Sequence, residues 1–297
     1  MSWQTYRLVF RLESPLHVGW RKTGNLMQTR PYLPGRALWG AVTASLTQWL
    51  GEADYCALGE WVCDHLRFGY FFLARDPDQP LYPVYLTAHK QPGIYYGQEE
   101  MPEAEFERRF LSSLTSTAIA HEANAAQEGS LHEVEFLVSS LDLGQPVYLV
   151  GHLFTQSSNE VICQENDIVA RGLSLYEQVM ASLRVGGERR YGFGRLMLCR
   201  NQCEKTDKLF DYRTDQQNGN LCVTIPVQKP LLAHAIADST NVKGSIEPVV
   251  SREWVPRHGP GRQVTLLGLC YVPGSITTSE TTFSIGHYGI WEQITYH

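Results

Sequence analysis

The ten-residue segment Gly186–Arg195, with the sequence GGERRYGFGR, constrains the fold more than any other part of the chain. It combines four glycines, three arginines and two aromatic residues between a helical pattern and a strand pattern. Glycine allows positive φ angles and close backbone approach. Arginine binds phosphates, and aromatic rings stack on bases. The segment therefore predicts a tight helix-to-strand loop that contacts RNA.

The length and charge of the chain limit how such a contact is made. The 297 residues suffice for one large domain or two ordinary ones, and 43% hydrophobic content is enough to form cores. A net charge of -6 and a pI near 5.9 exclude a uniformly basic nucleic-acid coat. RNA binding must therefore come from local clusters of basic residues.

The seven cysteines are odd in number and irregular in spacing, and no signal peptide or membrane-spanning apolar stretch is found. These features predict a reduced cytoplasmic protein without a membrane contact. Two groupings were checked for zinc, namely Cys56, Cys63 and His65, and the pair Cys199 and Cys203. Neither contains the paired ligand spacing of a zinc site, so we predict no metal and no cofactor.

The N-terminal pattern predicts a strand followed by a helix. Tyr6–Leu12 alternates in polarity, with Leu8, Phe10 and Leu12 on one face. A basic loop then leads to a helical pattern over Arg36–Leu50. Strand, loop and amphipathic helix together form half of a ferredoxin-like unit.

The second half of that unit is predicted further along the chain. Leu131–Leu141 and Pro146–Phe154 have strand patterns, Asp167–Leu183 has a helical pattern, and Phe193–Leu198 has a strand pattern. The order strand-helix-strand-strand-helix-strand thus covers residues 1–200, with an insertion at about 52–130.

The remaining residues predict a second, degenerate unit. Residues 201–220 are polar and read as a linker, and residues 221–297 begin with a strand pattern. Lys243–Arg262 is basic and predicts a mobile loop, whereas Phe283–Trp291 weakly repeats the glycine-rich segment. The predicted fold class is α+β, with two tandem ferredoxin-like (RRM-like) units and antiparallel sheets.

Four motifs occur in the order found in a known family: SPLHVG at Ser14–Gly19, YLPGRALWGAV at Tyr32–Val42, TAIAHEANAAQEGSLHEVEF at Thr117–Phe136, and the glycine-rich segment. With them the chain resembles the RAMP superfamily of CRISPR-associated proteins, the RRM-like subunits of guide-RNA effector complexes. Four ordered motifs over some two thirds of the chain are far more specific than any one of them.

The two-unit layout further resembles type III subunits, particularly type III-D, of the group that caps the guide RNA 5′ handle. The resemblance implies an antiviral, non-catalytic crRNA-binding subunit. Its implied partners are guide RNA, possibly target RNA, and the large and backbone effector subunits, with no small-molecule substrate. A backbone subunit of the same complex is the alternative, although such subunits normally end sooner after their core.

The residues predicted to contact RNA are Gly186, Gly187, Arg189, Arg190, Tyr191, Gly192, Gly194, Arg195, His17, Arg21, Lys22, Arg30 and Arg36. In the glycine-rich segment, backbone N–H groups and arginines would bind phosphate while Tyr191 stacks on a base. The alternative is a tight turn whose arginines pair with carboxylates such as Glu188. Phe193 is instead predicted to be a core residue.

His17 lies where a strand pattern meets a basic loop. A second hypothesis is therefore that the protein is a guide-processing endoribonuclease in which the His17 imidazole acts as acid or base. In the family that this chain resembles, backbone subunits of type III complexes cut target RNA with an aspartate on a loop. No aspartate occurs between His17 and Tyr32, and the nearest, Asp54 and Asp64, lie beyond the first helical pattern. We therefore predict a non-cutting protein. A protein-interaction scaffold without RNA contact is a third hypothesis.

Overall fold

The computed structural model describes residues 2–51, 54–86, 91–120, 125–157, 179–238, 241–255 and 259–294. The α-helices are α1 (Gly35–Leu50), α2 (Tyr55–His65) and α3 (Glu103–Phe110). None of the helices in these ranges is long and apolar enough to cross a membrane.

Strands make up most of the regular structure. Those up to residue 198 are β1 (Ser2–Leu12), β2 (Gly19–Thr23), β3 (Leu26–Thr29), β4 (Tyr32–Leu33), β5 (Leu66–Phe68), β6 (Phe71–Ala74), β7 (Pro83–Leu86), β8 (Gly93–Tyr96), β9 (Met101–Pro102), β10 (Leu111–Ser116), β11 (Ile119–Ala120), β12 (Ala125–Ala126), β13 (His132–Leu137), β14 (Tyr148–Ser157), β15 (Ser182–Arg184) and β16 (Arg195–Leu198). Those that follow are β17 (Glu204–Thr206), β18 (Lys208–Leu209), β19 (Tyr212–Gln217), β20 (Asn220–Ile225), β21 (Ala235–Ile236), β22 (Val242–Lys243), β23 (Ile246–Val255), β24 (Gly259–Tyr271), β25 (Ile276–Thr277), β26 (Thr281–Ile285) and β27 (Trp291–Gln293).

The first sheet is antiparallel and follows the order β15-β16-β1-β14-β6-β4, with β17 also paired to β1 and β5 to β14. The strand predicted at the N-terminus is confirmed as β1. Its Leu8, Phe10 and Leu12 are buried in the core cluster that also contains the apolar side of α1. Val9, on the other face, is buried against Val150. Both faces of β1 are therefore covered around Leu8–Phe10, where three consecutive apolar residues are buried.

The first predicted helix is confirmed as α1, and its buried positions follow the helical period. Leu38, Val42 and Leu46 are buried against the first sheet. The second predicted helix, over Asp167–Leu183, falls mostly on residues 158–178, which lie outside the described residues. Its last residue, Leu183, is in β15 and pairs with a residue of β16. The helical assignment of Leu183 was therefore wrong, because sheet pairing overrides the local periodicity.

The second half of the chain forms an antiparallel-rich sheet in the order β18-β19-β20-β26-β27-β21-β24-β23. Residues 201–220, predicted as a linker, contain β17, β18 and β19. The structure also corrects the mobile loop predicted at Lys243–Arg262, because β23 and β24 pair there as a long hairpin. Among the described residues after position 200 we find strands and 3-10 turns but no α-helix. The observed class is mixed α and β with antiparallel sheets and few helices; two tandem ferredoxin-like units remain a prediction.

A shared aromatic core joins the two halves. Phe72 and Phe154 from the first sheet, with Tyr70 between β5 and β6, belong to the same buried cluster as Phe283 and Trp291 from the second. Burying a large aromatic side chain contributes roughly 1.5–3 kcal/mol. The halves are thus packed on each other through apolar contacts rather than connected only by the chain.

The half-buried carboxylate of Glu247 on β23 forms the polar part of this junction. Its Oε1 accepts hydrogen bonds from Arg30 at 2.5 Å and from His234 Nε2 at 2.7 Å. Its Oε2 accepts from the indole N–H of Trp20 at 2.8 Å. The other ring nitrogen of His234 lies 2.7 Å from the hydroxyl of Tyr70, which donates to it. One carboxylate therefore connects the second sheet to two separate segments of the first half.

The charges of this network are set by burial and by its partners. Burial alone would raise the pKa of Glu247, but the hydrogen bond from His234 and the charge of Arg30 outweigh it and lower the pKa to about 2. Burial lowers the pKa of His234, against the opposing effect of Glu247. The imidazole is accordingly neutral, with Nε2 protonated and Nδ1 accepting from Tyr70.

We predict that Glu247→Gln lowers the free energy of unfolding at pH 7 by roughly 2 kcal/mol, because the amide leaves Arg30 without a compensating charge. Because the pKa of Glu247 is lower in the folded protein than in the unfolded chain, the ionised carboxylate stabilises the folded state fully at pH values above its unfolded pKa of about 4.5. This stabilisation is lost as the pH falls toward the folded pKa of about 2. The difference from wild type should therefore shrink over that window in urea titrations. Glu99→Gln, at an exposed pair with Arg75, is the matched control and should change stability little. A deficit independent of pH would contradict the account.

Candidate nucleic-acid interface

The glycine-rich loop connects β15 to its antiparallel neighbour β16. Arg189–Tyr191 forms a 3-10 turn, flanked by Glu188 at φ +54° and Gly192 at φ +88°, both left-handed. The chain thus enters the loop from a strand, not directly from the predicted helix. The two left-handed residues reverse the chain and leave the turn projecting from the edge of the first sheet.

Backbone hydrogen bonds hold the base of the loop against the segment after β1. Gly187 N–H donates to the carbonyl of His17 at 2.9 Å, and Gly194 N–H donates to the carbonyl of Pro15 at 2.7 Å. Gly194 has φ +77°, and a Cβ there would lie 1.8 Å from the carbonyl oxygen of Val185. Only glycine fits this close approach. The first and last of the four sequence motifs are therefore in direct contact.

Two side chains support the loop from below. His17 is buried, with its Nδ1–H donating to the carbonyl of Glu135 at 2.7 Å, and a Cβ on Gly187 would lie 2.9 Å from its ring. Phe193 is buried and its ring contacts Phe136 with centroids 5.3 Å apart, so the prediction that it is a core residue is confirmed. His17 thus positions the loop on β13. A contact between this histidine and RNA remains a prediction.

The outer part of the loop exposes its charged and aromatic side chains. Arg189, Arg190 and Arg195 are exposed, and Tyr191 is 76% exposed. Within the described part of the chain, none of the three arginines forms an ion pair with a carboxylate, Glu188 included. Their donors are therefore directed to solvent, where an anionic ligand has access to them.

The β2–β3 hairpin carries two more of the predicted residues. Arg21 and Lys22 are exposed, and the guanidinium carbon of Arg21 lies 3.5 Å from the centre of the Trp20 ring. Arg30, by contrast, points inward to Glu247, and its side chain is only 12% exposed. Its charge compensates the half-buried carboxylate of Glu247, so the geometry favours Arg21 and Lys22 over Arg30 as RNA contacts, and the contact by Arg30 stays a prediction.

Arg36, in the first turn of α1, is held between two aromatic rings. Its guanidinium carbon lies 4.1 Å from the ring centres of both Trp39 and Tyr288. Its Nε–H donates to the hydroxyl of Ser251 on β23 at 2.8 Å. The weak repeat at the C-terminal end thus supplies Tyr288 to the start of α1, and Arg36 is fixed by both halves of the protein.

A cleft of about 860 Å³ lies among α1, α2, the glycine-rich loop and the β23–β24 hairpin. It brings together three of the predicted residues, namely Arg36, Gly186 and Arg189, whereas Arg21 and Lys22 lie outside it. The lining residues that the sequence motifs did not indicate include Tyr55, Arg184, Arg252, Trp254 and Tyr288. In the sequence, Arg252 and Trp254 belong to the basic segment Lys243–Arg262. Nothing in their local pattern indicates that they line the same cleft as the glycine-rich loop.

The two cysteine groupings lie in different elements of the fold. Cys56 and Cys63 lie on α2, whereas Cys199 and Cys203 flank a 3-10 turn after β16. Across the ranges that the structure describes, no group of three or more histidine, cysteine, aspartate or glutamate side chains is arranged to hold a metal ion.

Comparison with known proteins identifies the family. The family model described as "RAMPs: RAMP superfamily" matches residues 9–197, which is more than half of the chain. The chain therefore belongs to the RAMP superfamily, and the resemblance drawn from the four motifs is confirmed. No curated protein matches the sequence.

Two solved structures have a similar fold. A chain of the type III-B Cmr-beta complex bound to cognate target RNA and AMPPnP aligns with a TM-score of 0.53 at 12% identity, covering 91% of this chain and 85% of that one. A chain of the same complex bound to cognate target RNA gives 0.51 at 12% identity, covering 91% and 86%. At this identity the likeness concerns the fold, and it extends over both halves of the protein.

We predict that Gly194→Ala destabilises the protein by about 3 kcal/mol or more, because a left-handed alanine is strained and its Cβ collides with backbone. Gly192 also has positive φ but has open space around its Cα. Gly192→Ala should therefore cost only about 1–2 kcal/mol. Chemical denaturation of both variants measures the difference. Equal losses would show that the close approach at Gly194 does not limit stability.

Proposed function

We propose that this RAMP protein is a subunit of a type III CRISPR effector complex and that it binds guide RNA through the glycine-rich loop. One observation carries the proposal: three exposed arginines, without carboxylate partners in the described structure, project from a loop anchored on the SPLHVG segment. Family membership and the fold shared with chains of type III-B Cmr-beta complexes support the proposal.

The loop has the chemistry to bind an RNA backbone. Guanidinium groups form charge-assisted, often bidentate hydrogen bonds with phosphate oxygens, and an exposed tyrosine ring stacks on an unpaired base. Arg189, Arg190 and Arg195 place three positive charges within one short segment of a protein whose net charge is -6. This local concentration provides the attraction that the overall charge does not.

We assign the protein the finer role of holding the guide 5′ handle and contacting the large and backbone subunits. The supporting observation is the second half of the chain, which continues well beyond the end of the family match at residue 197. That half adds an eight-stranded sheet, whose β23–β24 hairpin lines the same cleft as the glycine-rich loop. The alternative is a backbone subunit of the same complex. Binding of the protein to the 5′ end of the guide RNA would support the first role over the second.

Binding and positioning, without cleavage, is the activity that we propose. The segment between His17 and Tyr32 contains no aspartate, and His17 is buried beneath the loop with its Nδ1–H bonded to a backbone carbonyl. An acid or base must reach the proton that it transfers. The enzyme hypothesis therefore has less support from geometry than the binding hypothesis.

We predict that changing Arg189, Arg190 and Arg195 together to alanine weakens guide-RNA retention at least tenfold, since three charge-assisted contacts are lost. Co-purification of guide RNA with the assembled complex measures the effect. The matched control changes Arg108, Arg200 and Arg213, three exposed arginines outside the loop, to alanine and should leave retention unchanged. Full retention by the loop variant would overturn the proposal.

The endoribonuclease hypothesis has a direct test. We expect the purified protein, incubated with end-labelled precursor guide RNA in the absence of metal, to yield no discrete product, and we expect the same of His17→Ala. A discrete product from wild type that His17→Ala fails to make would establish the enzyme and contradict our assignment.

A further inference from the structure

The 860 Å³ cleft adjoins the glycine-rich loop, since Gly186 and Arg189 form part of its wall. The second half of the chain forms another part of the wall, through Arg252 and Trp254 of the β23–β24 hairpin. The volume lies within the range of about 300–1,000 Å³ that is usual for small-ligand sites. An RNA strand bound to the loop therefore has a pocket of suitable size next to it.

Aromatic rings line this pocket. Tyr55, the first residue of α2, and Trp254 on β23 have ring centroids 5.5 Å apart, and Trp39 lies 6.5 Å from Tyr55. All three rings are half-buried, so each is fixed by packing while part of it faces the cleft. Rigid, partly exposed rings are the usual platforms for unpaired bases, because every base has a face that stacks.

Arginines from three separate elements face the same space. Arg184 lies on β15, Arg189 on the glycine-rich loop and Arg252 on β23, and all three are exposed. Arg252 donates one hydrogen bond to the carbonyl of Gly261 at 3.0 Å. Among the residues with described structure, none of these three guanidinium groups is ion-paired. Their convergence favours an anion at this side of the cleft.

Two carboxylates give the pocket a direction. Glu60 and Asp64 project from α2 into the lining of the cleft and disfavour a phosphate near that helix. Carboxylates accept hydrogen bonds from the amino groups of bases. A nucleotide would therefore lie with its phosphate toward the arginines and its base toward α2 and the aromatic rings.

We infer that this cleft binds one nucleotide of single-stranded RNA next to those held by the glycine-rich loop, its base stacked on Trp254 with an edge against the tilted ring of Tyr55, and its phosphate bound by Arg189 and Arg252. The inference rests on the proposed function and extends it, because it assigns the second half of the chain to the RNA path. The occupant is RNA rather than a protein segment because rings, arginines and carboxylates are arranged as a nucleotide requires.

The test uses the full chain and a fluorescein-labelled single-stranded RNA decamer of mixed sequence, with affinity measured by fluorescence anisotropy. We expect Trp254→Ala to weaken binding about tenfold and Trp254→Phe, which keeps a ring, to weaken it less than threefold. The matched control is Trp49→Ala, at a 56% exposed tryptophan on α1 outside the cleft, which should bind as wild type.

Charge reversal gives an independent variant at an exposed position. Arg252→Glu should weaken binding at least tenfold, whereas Arg213→Glu, on β19 at the far end of the same sheet, should have no effect. Thermal unfolding of each variant verifies that it is folded. Unchanged affinity for folded Arg252→Glu would overturn the inference.

Crosslinking separates failure of this inference from failure of the proposed function. With 4-thiouridine in the decamer, we expect adducts on both Tyr191 of the loop and Tyr55 or Trp254 of the cleft. Adducts on the loop alone, with normal binding by the cleft variants, would overturn the inference and leave the proposed function standing, and would point to a protein segment as the occupant. If the variant with Arg189, Arg190 and Arg195 changed to alanine keeps both its loop adduct and its RNA affinity, the proposed function and this inference are both overturned.

Discussion

The half-buried carboxylate of Glu247 makes the interactions on which the arrangement of the two halves depends. It binds Arg30, His234 and Trp20 at once, so β23 has one position relative to the first half. The net free energy of a buried ion pair is often small, because desolvation offsets attraction. Here the ion pair of Glu247 serves chiefly to fix the position of β23. Ser251, four residues further along β23, then meets Arg36, and the hairpin forms one wall of the cleft.

The glycine-rich loop depends on a second constraint, the close backbone approach at Gly194. Because no side chain fits between this residue and the carbonyl of Val185, the loop is pinned at its base while its tip stays exposed. A rigid base with charged side chains at its tip suits the proposed RNA contact, because the backbone is already ordered before RNA binds. The loop and the Glu247 network together define a surface to which both halves of the chain contribute.

Local pattern predicted β1, the helix at α1, the buried Phe193 and, through the motifs, the family. It failed where distant residues decide the outcome. Arg30 resembles Arg21 and Lys22 in sequence, yet its side chain turns inward to Glu247, a partner more than 200 residues further along the chain that local pattern does not indicate. The glycines and basic residues of Lys243–Arg262 suggested a loop, although pairing between β23 and β24 makes them strands. The cleft could not be predicted for the same reason: its walls come from elements that only the folded chain brings together.

The measurement that tests the central claim most directly is crosslinking of the wild-type protein within the RNA-containing effector complex proposed for it, with adducts located by mass spectrometry. The account predicts that the main RNA adducts lie on Gly186–Arg195, the loop whose arginines project to solvent. Adducts confined to other surfaces, with this loop unmodified, would contradict it.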